Sequence, residues 1–440
     1  MALAARAQVE ASASNKALIW QVYNNSWDPI TNSDGFVNIG VAENRLMHKE
    51  LIERISEVPT APEHSLTYGE GPKGSRRLRQ TLSNFLSKQL HTTIPIKPEH
   101  IIITNGVSAA IEHCAWAFTN PGEAWLLGQP HYGAFRSDIT GRFGAELLTV
   151  AFGDHDPMSA EAVSCYETAL LEAQNKGVKV KALMLCNPHN PLGRCYSKAA
   201  LLEYLKLCEK YQLHLVSDEV YALSIWDNKD DPKAAKFTSI LSFDLQGLID
   251  PSLVHALWGV SKDFGANGLR LGCIMSQSNP SFHDSLVLST IHSYASGLAD
   301  HVVAELLEDE IWTEQYIRTN QSKISDAFRR TTRFLRQHEI SYAPGSNAGF
   351  FVWVNLGETY LKSHTLGDED DLTTVIMDAL WDQKVFLASG ASFGSEKPGF
   401  FRITFSHPWE YLEEGLNRIL KALEVDQDQN SSIAHRSKGE

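Results

Sequence analysis

Short apolar runs rich in β-branched residues alternate with stretches of helical spacing along most of the chain. HIIITNG, from His100, reads as a strand that stops at a turn. EAWLLGQP from Glu123, VKALMLCNP from Val180, HLVSDEV from His214, LVHALWGVSK from Leu253 and RLGCIMS from Arg270 read as further buried strands. SAAIEHCAWAF, KAALLEYLKLCEKY and the stretch from Ser285 to His292 show helical spacing. Strands alternating with helices predict an α/β fold, with a mostly parallel sheet and helices on both faces. A second, smaller α/β unit is expected from Trp312: a long helix through Phe334, strand GFFVWVNL, helix DLTTVIMDALWDQ and strand FFRITFS. The expected division is a flexible arm (1–15), an N-terminal segment packing on the small domain (16–60), a large domain (61–311), a small C-terminal domain (312–425) and a disordered polar tail (426–440). Ligands of such sheets sit at the carboxyl ends of the strands. The motifs that carry chemistry are expected at such ends.

Composition narrows the function classes. Hydrophobic residues make up 43 % of the chain, enough for a core. Lys and Arg number 39 against 53 Asp and Glu, a net charge of −14, which argues against nucleic acid or an anionic membrane as the main partner. Cys114, Cys165, Cys186, Cys195, Cys208 and Cys273 form no C-x-x-C pair, so free thiols in a reducing compartment are expected. MALAARAQVEASASNK lacks an apolar stretch of signal-peptide length, and Glu10 counts against a transit peptide. The expected location is the cytoplasm.

The sharpest chemical signal is GVSKDFGANGLRLG, Gly259 to Gly272. It places Ser261 and Lys262 between a strand and a Gly-rich loop, with Arg270 eight residues on. A lysine becomes a nucleophile when held, partly desolvated and near other charges. The fixed fork of an arginine suits a phosphate dianion. A surface lysine with an arginine nearby is the plain alternative for the pair taken alone. SDEVYAL adds Asp218 and, three residues on, Tyr221. A carboxylate at the end of a buried strand is costly unless paired, although an Asp can also cap a turn. TNGVSAA ends a strand and opens a helix, offering an anion the N–H groups of Gly106, Val107 and Ser108. NPHNPLG is a turn on composition alone. PGFFRITFS sets Arg402 in an apolar strand, where it needs a partner.

The fourteen residues from Gly259 resemble the pyridoxal 5′-phosphate (PLP) attachment signature of class-I/II aminotransferases, of the fold-type-I PLP enzymes. The resemblance implies that Lys262 carries PLP as a Schiff base and that Asp218 faces the ring nitrogen. Asn190 and Tyr221 would bond its phenolic oxygen, and Tyr132 in GQPHYGAF would stack on the ring. Arg270, with Gly106, Val107 and Ser108, would hold the phosphate. Arg402 would clamp the substrate α-carboxylate, making the substrate an amino or oxo acid. Tyr68, in LTYGEGPKGSRRLR, would reach the phosphate of a second subunit, so a homodimer with shared active sites is implied. The freed Lys262 amine, its pKa low beside Arg270, would remove the α-proton.

DGFVNIGVAENRL, Asp34 to Leu46, resembles the G-L-A-E-N segment of 1-aminocyclopropane-1-carboxylate (ACC) synthases. In that branch the glutamate matching Glu43 lies by the substrate and disfavours transamination; Glu43 could instead cap a local turn. Two features depart from the plant-type pattern. Gly259 stands where a phosphate-binding serine is usual, a loss of about 1 kcal/mol, and His131-Tyr132-Gly133 replaces Y-Y-P. The nearest resemblance is to the fungal ACC-synthase-like group, which includes aminotransferases and carbon–sulfur lyases of secondary metabolism. An aminotransferase is the leading reading, and a lyase of β/γ-elimination or γ-replacement type the alternative. A PLP-binding protein without turnover is a distant third, and neither a metal nor a nucleic acid is expected.

Overall fold

Seven strands form the central sheet of the structure, a computed structural model that describes residues 3–4, 7–8, 11, 18–367 and 369–424. The expected tail (426–440) and most of the expected arm lie outside the described residues. The strands are β1 (Ile101–Thr104), β2 (Ala124–Gly128), β3 (Glu146–Val150), β4 (Val180–Cys186), β5 (His214–Asp218), β6 (Val254–Gly259) and β7 (Gly272–Met275). Their order is β1-β7-β6-β5-β4-β2-β3. All run parallel except β7, which is antiparallel to both neighbours. Arg270 therefore enters β7 from its amino end, yet at the same rim of the sheet where the other strands finish.

The central strands read as unbroken apolar runs because both faces are covered. Ile101, Ile103, Leu183, Leu185, Leu215 and Trp258 point into one core. Their alternates Ile102, Ala182, Met184, Val216 and Leu257 point into the other. Helices α1 (Arg76–Gln89), α3 (Val163–Asn175) and α4 (Lys198–Tyr211) supply the first core, and α2 (Val107–Phe118) the second. Ser75 caps α1 by accepting from Leu78 N, and Ser197 caps α4 by accepting from Ala200 N. One expected helix starts earlier than its spacing suggested. It runs Pro280–Ser289, opened by Pro280 at its first position and by Asn279 accepting from Phe282 N, and the Thr290–His292 stretch is a 3₁₀ turn.

Helix α5 (Gly297–Glu308) leads into the long α6 (Glu310–Gln337). Beyond it β8 (Ser341–Tyr342), β9 (Phe351–Asn355), β10 (Ala388–Ser389) and β11 (Phe400–Thr404) form a second sheet in the order β10-β11-β9-β8. Helices α7 (Leu372–Asp382) and α8 (Trp409–Ala422) complete this region. Its core takes in Val37 and Ile39 from the N-terminal segment and Val220 and Tyr221 from the loop after β5. Val37 and Asn38 pair in parallel with Val385 and Phe386. The next turn fits because Gly40 has no Cβ, which would stand 2.8 Å from Ala388 N. Arg402 on β11 is thus carried to the rim of the large sheet. Among the described residues no helix is long and apolar enough to cross a membrane.

Candidate active site

Strand β6 is buried throughout and ends in a single turn, Val260–Asp263, which presents Lys262 to a cavity of about 180 Å³. Lys262 Nζ donates to Ala42 O at 2.7 Å. Burial, with the positive charge of Arg402, holds this amine down at about 8, and the carboxylates of Glu43 and Asp218 oppose the shift. Asp218 closes β5 and lines the same cavity. Its carboxylate accepts from Val220 N at 3.2 Å. Burial pushes its pKa up to about 7, against the pull of Val220 N and the Lys262 charge. Tyr221 is buried edge-on between Phe350 and Phe351. Burial raises its phenol well above the ordinary range.

The anion end is built by close backbone approach. Gly106, at φ +80°, opens helix α2, and a Cβ there would strike Nη2 of Arg270. Gly272 must also lack a Cβ, which would lie 2.7 Å from Gly106 C. No side chain caps α2. The first N–H groups of this helix, at Val107 and Ser108 on the cavity wall, stay open for a ligand. Gly106 itself differs from the expectation: its N–H is turned to Thr104 O at 2.8 Å, so this residue supplies clearance rather than a donor. Gly259 has the same character. A Cβ at this position would stand 2.9 Å from Leu271 O and 3.1 Å from Val107 Cγ2, so a serine would crowd both.

Asn190, in the turn after β4, accepts at Oδ1 from Arg402 Nη1 at 2.8 Å. Arg402 is 3 % exposed; its Nη2 donates to Gly40 O and its Nε has no partner. The guanidinium lies 5.3 Å and 4.9 Å from the ring centroids of Phe351 and Phe393. No carboxylate pairs with it among the described residues. A buried arginine bonded only to neutral acceptors can take an anion.

The structure brings Lys262, Ser261, Asp218, Tyr221, Asn190, Tyr132, Val107, Ser108 and Arg270 around one cavity. Arg402 adjoins it through Asn190, and Glu43 through its charge on Lys262. Tyr68 stands apart, 86 % exposed and off the cavity wall. Two wall residues with unpartnered buried oxygens were missed by sequence reasoning. Asp138 carries a buried Oδ2 without a partner, and burial raises its pKa to about 6 against a hydrogen bond from Ser108. Asn267 has a buried Oδ1 likewise unpartnered. Asp138 lies on a short helix, Ala134–Thr140, beyond the end of the GQPHYGAF motif.

The fold and site define a PLP-dependent enzyme that acts on amino acids. Residues 35–419 match the family model for aminotransferase class I and II, and the chain belongs to that family. It is 33 % identical over 406 residues to 1-aminocyclopropane-1-carboxylate synthase-like protein 1 of Bos taurus, covering 90 % of this chain and 78 % of that one. It is 31 % identical over 396 residues to the probable aminotransferase gliI of Aspergillus fumigatus, covering 87 % and 88 %. Aspartate aminotransferase from Thermus thermophilus with maleate superposes at a TM-score of 0.71 and 17 % identity, covering 96 % of this chain and all of that one, which fixes the fold.

The residues present fit PLP. Asp218 is a buried carboxylate with one hydrogen bond, the environment a pyridinium would complete. Arg270 and the open end of α2 suit a phosphate. Lys262 has a partly neutral amine within the same cavity.

Proposed function

We propose that Lys262 is the cofactor-bearing amine and proton carrier, Asp218 the partner of the ring nitrogen, and Arg402 the clamp for the substrate α-carboxylate. The observation that carries this reading is the buried, carboxylate-free Arg402 set beside a cavity that also holds a depressed lysine and an under-bonded aspartate. Bound PLP supplies an electron sink for the α-carbon of the amino acid. The chain supplies the rest. Arg402 takes the carboxylate on its two Nη groups, exchanging Asn190 and Gly40 O for a charged acceptor. Tyr132, Asn190 and Tyr221 line the cavity, and Asn190 and Tyr221 would bond the phenolic oxygen of the cofactor. Lys262, with a pKa near 8, is in reach of both protonation states at neutral pH and can accept and return a proton at the α-carbon. Val107, Ser108 and Arg270 hold the phosphate, with Ser261 beside them.

Transamination is the preferred reaction. A lyase of the ACC-synthase-like kind is the second reading. It is favoured by Glu43, whose carboxylate is near enough to act on the Lys262 amine. A panel of amino acids given to the loaded enzyme, with and without 2-oxoglutarate or pyruvate, separates the two. Product that requires the oxo acid supports transamination; ammonia, thiol or ACC released without it supports the lyase. The exposed Tyr68 is read as reaching the phosphate of a second subunit, making a homodimer with shared sites. Residues 61–311 and 312–425 are read as large and small domains, with 16–60 packed on the small one. Six free thiols support a cytoplasmic location, and secondary metabolism is the proposed setting.

A further inference from the structure

Next to Lys262 stands a carboxylate with no part in the chemistry above. Asp263 is 1 % exposed and forms no ion pair among the described residues. Its Oδ2 accepts from Leu223 N at 3.1 Å and from Trp258 Nε1 at 2.9 Å, and its Oδ1 accepts from Ser224 Oγ at 2.7 Å. Every donor belongs to a segment of the site. Leu223 and Ser224 follow Tyr221 in the loop after β5, and Trp258 is the penultimate residue of β6. The carboxylate therefore ties the turn that carries Lys262 to the loop that follows Asp218 and carries Tyr221.

The main chain of the same residue makes a second tie. Asp263 O accepts from Asn320 Nδ2 at 3.2 Å, across to helix α6. Asn320 Oδ1 accepts in turn from Asn44 Nδ2 at 2.8 Å. Both amides are 1 % exposed. Two residues before Asn44 lies Ala42, whose carbonyl takes the Lys262 amine at 2.7 Å. While the Lys262 amine is free, as when it carries a proton, the bonds close a ring: out of Lys262 along the backbone to Asp263, through Asn320 to Asn44, and back through Ala42 to the Lys262 side chain. The two loops also touch directly, since a Cβ at Gly265 would strike Asn44 O.

Building on the reading of Lys262 as the cofactor-bearing amine, we infer that Asp263, Asn320 and Asn44 form a positioning ring that sets where this amine stands relative to Asp218 and the Ala42–Glu43 loop. Its means is hydrogen-bond geometry rather than charge. The charges that act on Lys262 are those of Arg402, Glu43, Asp218 and Arg270, and Asp263 turns its carboxylate the other way. An asparagine at 263 can keep its oxygen on Leu223 N and Trp258 Nε1 and donate to Ser224 Oγ, because a hydroxyl can turn to accept. An alanine keeps none of the three.

The test uses PLP-loaded protein. D263A and N320A are expected to keep a visible band but to lose about 10–100-fold in kcat with KM within about threefold, the signature of a misplaced reacting group. The pH midpoint of the band should move in both, and D263N should recover most of the loss. N320A leaves all three carboxylate bonds in place, and decides the matter should D263A fail to fold. Wild-type kcat and midpoint in N320A would overturn the ring, as would a D263N protein impaired as severely as D263A. A wrong lysine is a different result: it would show as a visible band surviving in K262A, whereas a wrong ring shows as K262A colourless and N320A unchanged.

Discussion

Asp218 and Asp263 are both wholly buried, both close to Lys262, and burial pushes both carboxyl groups up to about 7. They differ in their partners. Asp263 accepts three hydrogen bonds, and Glu219, equally buried beside Asp218, accepts from Ser217, Ser239 and Ile240. Asp218 accepts one. A fully satisfied buried acid fixes the fold around itself, whereas an under-satisfied one on a cavity wall marks where a ligand completes the bonding. Arg402, with its unpartnered Nε, falls on the same side of the comparison as Asp218.

The largest effect should come from the ligand side. K262A is expected to lose turnover by roughly 10²–10⁴-fold or more, together with the visible absorbance of the loaded protein. R402A should lower kcat/KM by about 3 kcal/mol, roughly 10²-fold, mostly through KM; an unchanged KM would put the substrate carboxylate elsewhere.

The two acids should respond oppositely in apoprotein. D263A strands Trp258 Nε1 and Leu223 N inside the core and should cost about 1–3 kcal/mol in a urea melt. D218N replaces a buried, barely bonded carboxyl by an amide and should leave the melt unchanged or raise it. Equal losses in the two variants would break the distinction.

Smallest is a pH effect. Asp218, Glu219 and Asp263 have folded-state pKa values raised to about 7 from ordinary values of 3.8, 4.5 and 3.8. Between those limits the folded chain holds protons that the unfolded chain has released. Their stabilising share is therefore whole below the ordinary carboxylate range and lost as pH rises through about 7. Thermal melts of apoprotein across that window should show a shallower fall in D218N than in the parent.

What could be read from the sequence was what is local. The β1, β4, β5 and β6 runs are continuous because their strands are buried on both faces, and Lys262, Arg270 and Asp218 lie in short motifs at strand ends. The strand Glu146–Val150 escaped because it is an edge strand, exposed at Glu146 and half-buried over its next three residues, without a strong pattern. Helices α3, α5 and α8 lie in runs that carry no chemical motif. Asp138 and Asn320 escaped for a different reason: their neighbours are set by the fold, as with Asn320 and Asn44, 276 residues apart, which no local pattern encodes. Asn267 lies inside the Gly259–Gly272 motif, where no role was assigned to it.

Every role proposed for this site depends on the amine of Lys262. Borohydride reduction of the PLP-loaded protein, followed by digestion and mass spectrometry, should place the pyridoxyl mass on the peptide that contains Lys262. The same mass on another lysine, or on none, would contradict it.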